Sequence, residues 1–209
     1  MPDAVPVLYS DEALLVIDKP AGLLSVPGRG EHLQDCAAAR VQALFSDAKV
    51  VHRLDQATSG LMLFARGTPS QRLLSRAFET RRVAKRYIAV VHGLVLEETG
   101  CIDLPLTADW PNRPRQQVDH RHGKPSRTLW RVISRDAAQG TSRLELEPLT
   151  GRSHQLRVHL LAIGHPIVGD ALYGPSVDAV PRLMLHASAL TIAHPGDARP
   201  MNFFSAAPF

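Results

Sequence analysis

Short apolar runs separated by polar breaks recur along most of the chain, a pattern typical of β-strands. Val5–Tyr9 and Ala13–Asp18 are two such runs, and the polar residues between them predict a turn. Val50-Val51 and Leu61–Ala65 flank a polar segment and predict a strand, a loop and a second strand. Further strands are predicted at Tyr87–His92, Cys101–Leu106, Arg127–Ser134, Arg143–Leu149 and Leu183–Ala193.

Three stretches have apolar residues at helical spacing instead. Leu33–Phe45 predicts one helix and Ser153–Ile163 another. A third is expected to start near Thr68, which we predict as its N-cap, with Pro69 at the first helical position and Gln71 completing a capping box. Helices interspersed with many short strands predict an α+β fold with a long mixed or antiparallel sheet.

The polar segment His52–Gly60 carries the most distinctive chemistry. It places Asp55 on a loop between two predicted strands, and a carboxylate held on a rigid scaffold can form an active site. The residues alone leave a second interpretation open, in which Asp55 is a turn residue satisfied by backbone N–H groups.

The same segment resembles the catalytic motif of the RluA family of pseudouridine synthases, H-R-L-D-x-A-T-S-G. Lys85–Ala89 resembles the family's K-x-Y-x-A, Gly151–Arg157 its G-R-x-H-Q-[IL]-R, and Gly164–Asp170 the G-H-P-I-x-G-D that follows. The resemblance runs from Lys19–Leu23 almost to the end of the chain. It implies the pseudouridine synthase fold, a long sheet with flanking helices whose two halves meet at a central basic cleft. It also implies one catalytic domain over residues 1–209, without an N-terminal S4 domain.

The resemblance assigns Asp55 as the nucleophile that attacks a flipped-out uridine. Attack at C6 of the base, attack at C1′ and stabilisation of an oxocarbenium-like species all remain open. Uracil leaves as a delocalised anion, so one prominent carboxylate is chemically coherent. Arg157 is expected to keep Asp55 ionised, and Tyr87 to pack on the base and assist proton removal at C5. The alternatives are a surface arginine on an amphipathic helix and a strand-edge aromatic residue.

Basic residues indicate an anionic partner, since the formal net charge is +4 and the pI about 9.4. Only four of the 24 basic residues are lysine, and arginine suits phosphate contacts and base stacking. Several basic residues, from Arg81 to Arg86, follow the helix that is predicted to start near Thr68. Alternatively, they interact favourably with the C-terminal end of that helix dipole, which is worth about 0.3–1 kcal/mol. Trp110 is expected either to anchor packing or to contact RNA. The residues predicted to bind RNA are His52, Arg53, Arg72, Arg76, Arg81, Arg82, Lys85, Arg86, Arg113, Arg115, Arg152 and His154.

Several classes of protein are disfavoured by the sequence. Cys36 and Cys101 lack C-x-x-C spacing, and we expect buried, reduced thiols. The first residues lack a signal peptide pattern and no apolar run reaches about 18 residues, so we expect a cytoplasmic protein without membrane contact. The ten histidines form no trusted ligand pattern, which predicts neither metal nor cofactor.

The resemblance to the branch without an S4 domain implies structured RNA as the partner, of the tRNA anticodon-loop and 23S rRNA hairpin type, bound by a monomer. Two alternatives stay open. One is an RNA-binding module that keeps the fold but has lost catalysis. The other is a uridine-directed N-glycoside hydrolase that uses Asp55 and releases free uracil.

Overall fold

The computed structural model describes residues 5–175 and 180–209. The first four residues, on which the expectation of no signal peptide partly rests, lie outside the described residues. The chain forms two compact units. The first unit contains the residues up to Lys85 together with His186–Pro208, and the second contains Arg86–Leu185 and Phe209. The prediction of one catalytic domain over residues 1–209 stays a prediction.

The described residues form twelve strands and three α-helices. In chain order these are β1 (Val7–Ser10), β2 (Leu14–Lys19), α1 (Ala37–Leu44), β3 (Ala48–Val50), β4 (Ser59–Arg66), α2 (Gly67–Glu79), β5 (Ala84–His92), β6 (Thr99–Asp103), β7 (Leu106–Ala108), β8 (Gln116–Val118), β9 (Arg127–Asp136), β10 (Thr141–Pro148), α3 (Gln155–Ala162), β11 (Leu185–Ala193) and β12 (Pro200–Phe204).

The first unit is built on β4, which is buried along almost its whole length. β2 pairs antiparallel with one edge of β4, and β1 pairs antiparallel with β2. On the other edge, β3 pairs antiparallel with the C-terminal part of β4 and β11 pairs parallel with its start. β12 then pairs antiparallel with β11. Apolar side chains of β2, β4 and β11 form one core cluster with Leu74 of α2.

The second unit contains an antiparallel sheet in the order β5-β10-β9-β6 and a two-stranded β7-β8 hairpin. The predicted alternation is clearest in β10, where every second residue is buried. A smaller cluster joins Leu106 of the hairpin, Val158 of α3 and Tyr173. Mixed pairing in the first unit and antiparallel pairing in the second confirm the predicted α+β class.

The predicted helices occur, with different starts. α1 begins at Ala37 instead of Leu33, because the Cys36 thiol caps it by accepting the Ala39 N–H. The capping prediction for Thr68 is wrong. Arg66 is the N-cap of α2 and provides no side-chain cap, and the Gln71 amide donates to the Val50 carbonyl instead.

α3 differs from the predicted amphipathic helix because six consecutive residues, from Gln155 to Leu160, are buried. The alternative of Arg157 as a surface arginine is therefore wrong. None of the helices in the described ranges combines the length and apolar character needed to cross a bilayer.

Candidate active site

Asp55 lies half-buried on the loop between β3 and β4, and the residue before it is fixed from both sides. The Leu54 N–H donates to Ser25 Oγ at 3.0 Å, and the Ser25 hydroxyl donates to the Leu54 carbonyl at 2.7 Å. Ser25 is itself buried. One side chain therefore holds both backbone polar groups of Leu54.

The residue after Asp55 is held by the last residue of β2 and by the segment that follows it. Lys19 is fully buried, and its ammonium donates to the carbonyls of Pro20, Leu23 and Gln56 at 2.8, 2.7 and 3.2 Å. Gly22 N–H also donates to the Gln56 carbonyl, and the Gln56 amide returns a hydrogen bond to Gly22 O. These three carbonyl acceptors compensate the buried Lys19 ammonium for the hydration that it loses on folding. The backbone around Asp55 is thus clamped on both flanks.

The far end of the loop is anchored where β4 begins. Gly60 has a φ of +111°, and a Cβ there would lie 2.4 Å from the Ala187 carbonyl oxygen. Only glycine allows β4 and β11 to approach this closely. One residue earlier, Ser59 Oγ lies 2.8 Å from His186 Nδ1.

A hydrogen-bond chain extends from buried Ser59 through buried His186 to two half-buried residues. The Ser205 hydroxyl donates to Asp18 Oδ2, so its oxygen accepts from His186 Nε2 at 3.0 Å. That places a proton on Nε2, while Nδ1 shares its hydrogen bond with the Ser59 hydroxyl. The chain links β2, β4, β11 and the segment after β12.

His52, three residues before Asp55, is integrated into the first unit. Its Nε2 accepts the Leu63 N–H at 2.9 Å, and its ring stacks on Phe78 with a centroid separation of 4.3 Å. Burial, together with the charge of Lys85, lowers the pKa of His52 to about 3, so the ring is neutral at pH 7. Burial also lowers the pKa of Lys85. Arg53, in contrast, is exposed.

In the second unit, Arg157 forms a buried ion pair with Asp170. Its Nε and a terminal nitrogen lie 2.8 and 2.6 Å from the two carboxylate oxygens. Asp170 also accepts the N–H groups of Leu172 and Tyr173, which shapes the turn after it. Such bidentate geometry fixes the plane of the guanidinium.

Three residues predicted from sequence converge on the ring of Tyr173. The guanidinium carbons of Arg157 and Arg115 lie 5.0 and 5.1 Å from the ring centroid. His154 contacts the ring edge-on, and its Nδ1 lies 2.8 Å from the phenol oxygen. Burial, opposed by the Gln116 N–H and neighbouring arginines, raises the pKa of Tyr173, which is protonated at pH 7. Cation–π and hydrogen-bond contacts therefore gather around one aromatic residue.

Tyr87 is half-buried on β5, in register with Leu146 of β10. The neighbouring Arg86 is exposed and lies 3.6 Å from the Glu145 carboxylate. The K-x-Y motif thus points successive side chains to opposite faces of a strand, as strand geometry requires.

The remaining predicted RNA-contacting residues differ in exposure. Arg152 is half-buried, and its side chain donates to the Pro125 carbonyl at 3.4 Å. The exposed members are Arg53, Arg72, Arg76, Arg81, Arg82, Arg86 and Arg113.

Sequence reasoning did not single out several residues that build these arrangements. Asp170 and His186 stood in segments covered by the family resemblance without an assigned role. Ser25 and Tyr173 carried no local signal because their partners are distant in sequence. The expectation of two buried thiols is half wrong, since Cys101 is exposed. Within residues 5–175 and 180–209 no group of three or more His, Cys, Asp or Glu is arranged to hold a metal ion.

Comparison with known proteins assigns the family. A model of the family described as RNA pseudouridylate synthase matches residues 13–162, well over half of the chain. The chain belongs to this family. The dual-specificity RNA pseudouridine synthase RluA of Yersinia pestis is 50% identical over 205 residues, covering 97% of this chain and 99% of the relative. RluA of Escherichia coli K12 is 48% identical, covering 97% and 93%.

Solved pseudouridylate synthase structures share the fold. Human RNA pseudouridylate synthase domain containing 1 superposes with a TM-score of 0.82 at 30% identity, covering 98% of this chain and 84% of that one. Human RNA pseudouridylate synthase domain containing 4 gives a TM-score of 0.78 at 25% identity, covering 97% and 88%. These matches confirm the predicted pseudouridine synthase fold and the family resemblance.

Proposed function

We propose that this family member isomerises specific uridines to pseudouridine in structured RNA, with Asp55 as the nucleophile. The observation that carries the proposal is the clamped Asp55 loop, in a chain about half identical to dual-specificity RNA pseudouridine synthases over nearly its full length. Preorganisation of this kind is what a nucleophile needs, because small misplacements of reacting groups slow reactions strongly.

The reaction breaks the N1–C1′ bond, turns the uracil and forms a C5–C1′ bond. The proton leaves C5 and a proton is gained at N1, so the product has the mass of the substrate. To reach the ring, the uridine must leave its stack, which costs a few kcal/mol. We propose that Tyr87 packs on the extruded base and assists the C5 proton, and that Arg157 favours the ionised form of Asp55. The support for both roles is the motif that each residue occupies.

The exposed arginines fit the RNA contact proposed for them. Arg72 and Arg76 lie one turn apart on α2, and both are exposed. Arg81 and Arg82 follow immediately and are exposed as well. Guanidinium groups in such a row suit successive phosphates. His52 belongs to the scaffold of the loop, because one ring face and Nε2 are already used.

We further propose tRNA anticodon loops and 23S rRNA hairpins as the two substrate classes, modified in the cytoplasm by a monomer. The names of the curated relatives, dual-specificity RNA pseudouridine synthases, support two kinds of RNA substrate. The choice of tRNA and 23S rRNA is supported by the resemblance of the sequence motifs. Light scattering during size-exclusion chromatography should give a mass near 22.9 kDa. A dimer mass would overturn the proposed monomer.

The test is incubation of unmodified tRNA and 23S rRNA transcripts with the purified protein. Carbodiimide derivatisation followed by reverse transcription should give new stops at single uridines. An N-glycoside hydrolase would instead release free uracil and leave abasic sites. A binding module without catalysis would shift the RNA in a gel and leave every uridine unchanged.

A further inference from the structure

An exposed tryptophan sits at the tip of the β7-β8 hairpin. Trp110 exposes 67% of its surface, although large aromatic side chains usually gain stability from burial. The Arg113 guanidinium lies over the indole, 4.8 Å from the ring centroid. We call Trp110 and Arg113 together the hairpin platform.

The loop that carries the platform is closed by its own hydrogen bonds. Asp109 N–H donates to Arg115 O at 3.0 Å, and Arg115 N–H donates to Asn112 O at 3.0 Å. The Asn112 amide donates to both oxygens of the Asp109 carboxylate at 3.2 and 3.0 Å. These bonds order the backbone around an aromatic side chain that remains in solvent. A rigid exposed aromatic loses little conformational entropy on binding a ligand.

The base of the loop is fixed to the residues around Tyr173. Gln116 N–H donates to the Tyr173 oxygen at 2.7 Å, and the Arg115 guanidinium lies over the Tyr173 ring. Arg157 packs against the same ring. The hairpin platform is therefore tied, through one aromatic residue, to the side chain proposed to serve the Asp55 carboxylate.

At the other end of the hairpin from the platform, the turn that follows β8 is basic as well. His120, Arg121 and Lys124 are exposed in the turn that follows β8. Asp119 accepts the N–H groups of Arg121 and His122, so the nearby acid is used to shape the turn. Backbone hydrogen bonds from His122 and Arg121 lower the pKa of Asp119.

We propose that the hairpin platform stacks on an unpaired base of the RNA substrate, with Trp110 as the stacking surface and Arg113 contacting the adjoining phosphate. The inference rests on the proposed function and adds a second contact to the row on α2. A π-face is common to all bases, so stacking suits an RNA loop distorted by extrusion of the target uridine. An apolar protein surface would fit poorly, because it would bury the guanidinium without an anion.

Affinity is measured by fluorescence anisotropy with labelled tRNA anticodon stem-loops and 23S rRNA hairpins. The assay reports binding regardless of whether the protein modifies these RNAs. Trp110→Ala should weaken binding of at least one RNA about tenfold, whereas Trp110→Tyr, which keeps a stacking ring, should remain close to wild type. Phe204→Ala is the matched control, because Phe204 is an aromatic residue with 74% exposure in the first unit. Equal affinities of the Trp110→Ala and wild-type proteins for both RNAs would overturn the inference.

Tryptophan fluorescence locates the contact. The chain has two tryptophans, and Trp130 is half-buried on β9. In Trp130→Phe the remaining emission comes from Trp110 and should be quenched by the RNA, whereas emission of Trp110→Phe should change little. Absence of quenching in Trp130→Phe would refute the stacking. Failure of the proposed function would be seen separately, as wild-type protein that produces no pseudouridine. Quenching of Trp110 by an unrelated protein but not by RNA would favour a protein-docking surface instead.

Discussion

Among individual residues, those that hold the backbone on either side of Asp55 matter most for the proposed chemistry. Ser25 bonds both polar groups of Leu54, and Lys19 and Gly22 hold the carbonyl of Gln56. None of these side chains needs to touch the RNA. Their contribution should therefore appear in the rate of the chemical step instead of in RNA affinity.

Ser25→Ala should lower the single-turnover rate at saturating RNA by about tenfold to a hundredfold, since the nucleophile is displaced. The dissociation constant for RNA should change little. Ser142→Ala is the matched control, because Ser142 is buried and bridges Val95 N–H and Gly93 O in the same two-sided way. Rapid-quench kinetics on both variants, with Ser25→Thr as rescue, measures this. Equal rates for Ser25→Ala and Ser142→Ala would show that the Ser25 bridge has no role in positioning.

The buried Arg157–Asp170 pair gives a second prediction at this scale. Asp170→Asn removes the bidentate carboxylate partner of a buried guanidinium and should lower the free energy of unfolding by about 3–5 kcal/mol. The double variant Arg157→Met/Asp170→Leu removes both charges and should be less destabilised than the single variant. Denaturant unfolding measures both. A double variant that is less stable than Asp170→Asn would contradict this account of the pair.

At the element scale, the approach of β4 to β11 depends on a single glycine. Gly60 and Gly140 both have positive φ, but a Cβ at Gly140 would meet nothing within 4 Å. Their comparison separates backbone strain from steric collision.

Gly140→Ala should cost about 1–2 kcal/mol of unfolding free energy, the strain of a left-handed alanine. Gly60→Ala should cost about 1–3 kcal/mol more, because its methyl group collides with the Ala187 backbone. Chemical denaturation of the two variants gives the difference directly. Equal losses of unfolding free energy in the two variants would mean that β4 and β11 move apart to accommodate the added methyl group without a further loss of stability.

The sequence pattern predicted the strands well where one face is buried. In β10, for example, buried and half-buried residues alternate, and this alternation can be read from neighbouring residues alone. It failed at Thr68 because β4 runs directly into α2, so the chain offers no free capping position there. β12 was not predicted, since the partner that makes Pro200–Phe204 a strand is β11. The Asp55 motif was evident locally, but its clamp from Ser25 and the Tyr173 cluster arise from contacts between distant segments.

At the scale of the whole molecule, neutral histidines packed into the fold make stability depend on pH. The folded chain keeps His52 neutral down to a pKa of about 3, compared with 6.5 for the ordinary group. Between those values the unfolded chain binds a proton that the folded chain does not. The contribution of His52 is thus intact above pH 6.5 and is lost progressively as the pH falls toward 3. Burial lowers the pKa of His159 as well, which acts in the same direction.

The His52 contribution should reduce the free energy of unfolding by about 2 kcal/mol between pH 7 and about pH 5. His52→Gln should flatten that slope, whereas His120→Asn, at an exposed position, should leave it unchanged. Urea unfolding across the pH range tests the expectation. A slope that persists in His52→Gln would assign the proton uptake to other groups.

Release of tritium from RNA labelled at C5 of uridine tests the role of Asp55, because forming the C5–C1′ bond expels that hydrogen. Wild-type protein should release tritium from tRNA or 23S rRNA transcripts without forming free uracil. Asp55→Asn should release none while binding the same RNA within a few-fold of wild type. Tritium release by Asp55→Asn at the wild-type rate, or free uracil as the wild-type product, would contradict the account.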